Sequence, residues 1–301
     1  MRLESALGSL SLFMFAGFAI GLVIGDPTGM SAPLSLITLG TIMTLSMSDM
    51  VLELGKTGSG FIEGLAPALM TFGILTPVFI AASFFFDGQL RLGWMLTAAM
   101  PAAVAIVPYS ERMRGNMRLA LHGEIAIYLL ALVLTPAIAI VMLNASVDMV
   151  ELLKVLLLLI IVPLALSRLV RRARFSARVR GTAMNLTFFF FSLIVVGANR
   201  NIFFQETQVV FALAIASFVT VFGVGLLVDR ILKGRDDPAR RTLTMFATIK
   251  NTGLAIAVAL SIGMPEMAIP PTMLVIFEMI WVIYLSSWKY NHKGASSPAP
   301  T

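Results

Sequence analysis

The stretch LTMFATIKNTGLAIAVALS, Leu243 to Ser261, decides how the rest of the chain is read. It is apolar and of membrane length, yet its middle holds Thr248, Lys250, Asn251, Thr252 and Gly253. A charge at the centre of a membrane helix costs roughly 2.5 to 3.5 kcal/mol on insertion scales, so Lys250 serves something other than folding. Asn and Thr offer the backbone local alternatives to the helix, and Gly lowers the cost of leaving it. The helix is therefore expected to unwind at 251–253.

Composition places this segment in a membrane protein. Of the 301 residues, 58% are hydrophobic and only 13% charged, against about a quarter charged in soluble domains. At roughly 20 residues per span, the chain has room for nine or ten helices and no soluble catalytic domain. There is no cysteine, and His122 and His292 are the two histidines. Disulfides, thiolate sites and a histidine metal cluster are thus excluded, and neither a metal nor another cofactor is expected.

Apolar runs broken by Pro, Gly and charge predict spans at 8–25, 33–48, 62–86, 91–108, 119–143, 150–170, 182–199, 207–230, 241–263 and 268–288. The first is read as a span because it lacks a small-residue cleavage site. Arg168, Arg171, Arg172, Arg174, Arg178 and Arg180 lie between the sixth and seventh spans. Arg230, Lys233, Arg235, Arg240 and Arg241 lie between the eighth and ninth. With Arg112, Arg114, Arg118, Lys289 and Lys293 they fall on one side, which puts both termini in the cytoplasm of a cell (inner) membrane protein. The net charge of +6 is thus topology with room for acidic lipid, not nucleic-acid binding. The Pro/Ser/Ala-rich tail 291–301 reads as disorder.

A second interrupted run, LTAAMPAAVAIVPYSERMRGN from Leu96 to Asn116, occupies the fourth span as Lys250 occupies the ninth. These positions correspond if the chain is two five-span halves, 1–148 and 149–290. An odd number of spans per half forces the second to insert upside down. In such inverted repeats, discontinuous helices meet near the midplane and their free backbone groups bind solute or ions. Pro101 alone could be an ordinary kink; two breaks in corresponding positions point to a binding site.

Four segments, in this order and spacing, resemble the bile acid:sodium symporter family. They are LGTIMTLSMSDM (Leu39 to Met50), the Pro101 segment continuing through Arg114-Gly115-Asn116 to Leu134-Thr135-Pro136-Ala137, TIKNTGLA (Thr248 to Ala255), and the last span from Pro270. The resemblance implies an all-α fold of ten transmembrane helices, a panel domain beside a core domain, crossing fourth and ninth helices, and alternating access.

The departures concern the family's sodium ligands. Its ninth-helix glutamate and glutamine fall on Phe246 and Lys250, followed by Asn251. The Ser-Asn pair of its fourth-helix crossover falls on Ile106 and Val107, downstream hydroxyl ligands on Ala120 and Glu124, and a third-span glutamine on Phe72. A hard cation needs oxygen ligands, so no sodium site is expected and Lys250 takes the place of the ion. Glu124 and Glu278 are candidate partners for it. Either a fixed pair stands in for sodium, or one of Lys250, Glu124 and Glu278 exchanges a proton in each cycle. Glu124 could instead snorkel to water from its span end, and His122 reads as interfacial.

A cation and two helix N-termini at the crossover favour a small or amphipathic organic anion. Phe72, Phe246, Met100, Met245, Phe277 and Trp281 are candidate apolar walls. The arsenite-transporting branch relies on a cysteine this chain lacks. The alternatives are a sodium-coupled symporter using other ligands, a non-transporting sensor on the same fold, and an intramembrane enzyme, for which no H-E-x-x-H motif exists. The oligomeric state has no sequence signal.

Overall fold

The computed structural model describes residues 10–26, 28–48, 58–143, 148–173 and 175–286. The described residues are helical and contain no strand; their one β-type contact is an antiparallel bridge between Ala102 and Lys250. Lys289, Lys293, His292 and the tail 291–301 lie outside them.

The chain opens with α1 (Leu10–Ile24) and α2 (Ser31–Ser48). Next, α3 (Gly58–Ala68) runs through a π-helical stretch, Leu69–Leu75, into α4 (Thr76–Ser83). Then come α5 (Gly88–Ala99), α6 (Ile106–Arg112) and α7 (Met117–Leu143). After these follow α8 (Met149–Arg172), α9 (Ala177–Ala198), the short α10 (Arg200–Gln205) and α11 (Thr207–Phe218). A second π-helical stretch, Val219–Gly223, leads into α12 (Val224–Ile231). The chain closes with α13 (Asp237–Phe246), α14 (Thr252–Ser261) and α15 (Ile269–Tyr284).

Among the described residues, seven helices are long and apolar enough to cross a membrane: Ser31–Ser48, Gly60–Ser83, Met117–Leu143, Met149–Arg172, Arg178–Ala198, Thr207–Gly234 and Pro265–Tyr284. Three of the ten expected spans fall short for identifiable reasons. The first is described only from Leu10 to Ile24, 15 residues, its expected start at 8 lying outside the described residues. The fourth is cut into helices of 12 and 7 residues, and the ninth into two of 10. At 1.5 Å per residue, a 10-residue helix covers about half of a 30 Å hydrocarbon layer.

Packing brings the breaks together. α9 lies against α1 and α2, while α2 also packs on α8 and α14. α3 lies along α7, and α5 along α4 and α7. One apolar cluster surrounds α2, α8 and α14, and a second surrounds α4, α5, α13 and α15. Gly123 allows the close approach of α3, α7 and α13, because a Cβ there would stand 2.7 Å from Pro67 and 2.9 Å from Phe246.

The fourth and ninth segments also meet at one end of the molecule. Arg241 donates to Met113 O at 2.9 Å, and Asn116 N–H donates to Thr242 Oγ1 at 2.9 Å and to Pro238 O at 3.1 Å. Arg240 pairs with Asp237 at 2.7 Å and Asp229 at 3.6 Å. Arg240 and Arg241 are 6% and 8% exposed. They are packed, bonded side chains, and topology signalling is not their whole role.

Candidate functional site

Pro101 sets the first break. A residue before proline is pushed out of helical geometry, and Met100 adopts φ −69°, ψ 151°. The chain then runs without regular helix to α6. The second break follows Phe246 and ends at Asn251, whose φ −75° and ψ 68° make an inverse γ-turn closed by Thr252 N–H on Lys250 O at 2.8 Å. Asn251 Oδ1 also caps α14 by accepting from Leu254 N–H at 3.0 Å. The two open segments lie antiparallel, joined at Ala102 and Lys250 and by Asn251 N–H donating to Pro101 O at 2.8 Å.

Lys250 is fully buried behind this crossing. Its Nζ donates to Thr76 Oγ1 at 2.7 Å, Ala98 O at 3.0 Å and Met100 O at 2.7 Å. An ammonium has three N–H donors, and all three are used. Ala98 and Met100 close the C-terminal end of α5, where carbonyls have no helical partner and the dipole favours a cation. The Phe72 ring centroid lies 4.9 Å from Nζ and adds a cation–π contact. Thr76 Oγ1 donates in turn to Ala98 O at 2.8 Å. The adjoining π-helical stretch turns Thr71 toward α13, where it donates to Phe246 O at 3.1 Å; such stretches recur at functional sites.

The other expected site residues divide around the crossing. Glu278 lies on its far face, with Oε1 accepting from Lys250 N–H at 3.2 Å and Oε2 from Thr252 Oγ1 at 3.1 Å. Thr248 Oγ1 donates to Thr244 O at 2.8 Å and accepts from Trp281 Nε1 at 3.0 Å. Among the described residues no carboxylate comes within 4.0 Å of Lys250 Nζ, so the contemplated ion pair is not formed. Backbone and hydroxyl oxygens supply what a carboxylate was expected to supply.

Glu124 does not reach water. It is fully buried, and neither of its oxygens accepts a hydrogen bond. One helical turn on, Tyr128 OH donates to Ala102 O at 3.4 Å and accepts from Asn251 Nδ2 at 3.0 Å. His122 is half-buried where α7 meets α3, with Nδ1 2.8 Å from Glu63, which Arg118 also meets at 2.7 Å. Ile106 and Val107, expected at the crossover, stand in the first turn of α6; the crossing contact is made by Pro101 and Ala102. Proline, placed earlier than the matched pair, decides where the helix opens.

A cavity with about 70 Å³ of free space lies between the crossing and helices α1, α2 and α9. Its floor includes Ala103, Val104, Asn251, Thr252 and Glu278, and its walls include Met14, Leu39, Phe188, Phe191 and Met279. None of the six expected wall residues lines it. Phe246, Met100, Met245 and Trp281 are fully buried in the packing, and Phe72 serves Lys250. Thr76 and Tyr128 escaped the sequence reading. Tyr128, four residues after Glu124 on the same helical face, was the available signal.

A comparison with curated proteins finds no match. A family model describing SBF-like CPA transporters matches residues 61–287. That match covers well over half of the chain and takes in both breaks, the Lys250 cage and Glu278. With seven apolar helices of membrane length among its described residues, the chain is a multi-pass membrane transporter of the SBF-like CPA transporter family, which is bile acid:sodium symporter-like.

Proposed function

We propose that this protein is a sodium-independent secondary transporter that moves a small amphipathic organic solute by alternating access, with the Lys250 ammonium in place of a coupling ion. The observation that carries the reading is the cage of Thr76 Oγ1, Ala98 O and Met100 O around Nζ, at 2.7 to 3.0 Å. Hydroxyl and carbonyl oxygens are what a hard cation takes as ligands. Here a tethered charge uses them without binding or leaving.

The architecture proposed is ten spans in two inverted five-helix repeats, with panel and core domains. Two features favour it. The third and eighth expected spans each contain a π-helical stretch, Leu69–Leu75 and Val219–Gly223. Neighbours also exchange symmetrically, the first span packing on the seventh and the sixth on the second. In this scheme the cytoplasm holds both termini, as the Lys/Arg distribution favours.

Glu124 is the proposed proton-exchanging group. A buried carboxylate without a donor is costly, and a proton removes that charge without any rearrangement of partners. Tyr128 and Asn251 connect its helix to the cavity. The anionic cargo expected from Lys250 loses its main support, since no N–H of the ammonium remains for a solute.

The test is uptake from a mixed metabolite extract into proteoliposomes, read by mass spectrometry under imposed gradients. Accumulation in sodium-free buffer that responds to a proton gradient is expected. Accumulation that requires an inward sodium gradient contradicts the reading.

A further inference from the structure

Only two charged side chains, Lys250 and Glu278, belong to the described lining of the cavity. They are not equivalent. The ammonium is engaged by three oxygens behind the crossing. The Glu278 carboxyl, 6% exposed, has two uncharged donors and no cationic side chain within 4.0 Å among the described residues.

A carboxyl oxygen has more than one acceptor site, and each Glu278 oxygen uses one. The carboxyl is therefore anchored by backbone and hydroxyl while keeping capacity for a further donor. The wall opposite is apolar and aromatic, with Leu39, Phe188, Phe191 and Met279. Such a wall suits a hydrophobic body and, through its rings, a cationic head. A carboxylate solute entering the same space would face Glu278 without a free cation to meet it.

We propose that the cavity selects a solute bearing a protonated amine on a small apolar body, with Glu278 as the residue that pairs with the amine. This rests on the transporter reading above and names its cargo class. Charge neutralisation of Glu278 by the cargo replaces the missing protein cation, and the amphipathic requirement follows from the walls.

The experiment measures binding, so it is independent of whether transport is coupled. Full-length protein in nanodiscs is heated with phenethylamine, 3-phenylpropionate or 2-phenylethanol, three probes of similar body and different head. The amine is expected to raise the melting temperature by about 2 °C or more, while the carboxylate and alcohol do not. In Glu278→Gln the amine shift disappears. In Glu278→Asp, which keeps the charge should the glutamine variant fold poorly, it persists in weakened form. Stabilisation by the carboxylate, equal stabilisation by all three, no stabilisation by the amine, or an amine shift that survives Glu278→Gln overturns the proposal. Failure here with sodium-free uptake intact leaves a transporter of another cargo; sodium-driven uptake with the amine shift intact would instead remove the coupling reading.

Discussion

Lys250 Nζ stands 2.7 Å from the carbonyl oxygen of Met100, so a charge carried by the ninth segment closes the open end of the fourth. Each broken helix thereby finishes the other. Met100 needs a donor because Pro101 ends its helix, and Lys250 needs acceptors because it is buried.

Replacing Lys250 by methionine keeps much of the volume but leaves Met100 O without its donor, while Ala98 O keeps only Thr76 Oγ1–H. Leaving a buried acceptor unpaired costs about 1 to 3 kcal/mol. The expected result is a loss of at least that size in unfolding free energy, measured by denaturant titration in mixed micelles. Retention of full stability would show that the cage contributes nothing.

Glu124 should behave in the opposite way. Its oxygens accept no hydrogen bond, so Glu124→Met removes no partner and fills the same space with an apolar chain. Replacing buried charge by hydrophobic residues is often neutral or stabilising by about 1 to 4 kcal/mol. Thermal unfolding should be unchanged or raised, while the response of uptake to a proton gradient is lost. A variant that unfolds easily yet still follows the gradient would assign Glu124 a purely structural role.

Asn251 joins two functions in one amide, capping α14 through Oδ1 and holding Tyr128 through Nδ2. Asn251→Ala should cost about 1 kcal/mol for the cap alone. A double-mutant cycle with Tyr128→Phe is expected to return a coupling of about 0.5 kcal/mol or more, as for residues in direct contact. Strict additivity would sever the proposed link between Glu124's helix and the cavity.

Thr71→Val tests the π-helical stretch. The substitution keeps the shape and removes the 3.1 Å bond to Phe246 O. A destabilisation of about 1 to 2 kcal/mol is expected from the orphaned carbonyl, read by the same denaturant titration.

Much of this was legible in the chain. Pro101 and Asn251 marked both breaks, because proline restriction and side-chain capping are local effects, but the second opening lies at 247–251 and not at 251–253: Asn251 caps the helix, so Thr252 and Gly253 already belong to α14. What lay across the breaks was not. The acceptors of Lys250 come from Thr76, Ala98 and Met100, 150 to 174 residues away in sequence, and backbone carbonyls carry no residue signature. A carboxylate was therefore the natural partner to expect. The direction of the ammonium also decided the cargo argument, since a charge at the crossing counts for the solute only if it faces the cavity. Glu278, read as one candidate among several, faces it instead. The apolar walls were misplaced for the same reason: Met245, Phe246 and Trp281 share the polar segment's neighbourhood but point into the packing.

The central claim is that a tethered ammonium fills the position a coupling ion would need. Thermal unfolding of the wild-type protein in nanodiscs, titrated with sodium chloride against potassium chloride at matched ionic strength, tests it most directly. A ligand that binds the folded state stabilises it in proportion to RT ln(1 + [L]/Kd). Identical melting curves in the two salts are predicted. A sodium-specific rise that saturates with concentration would contradict the account.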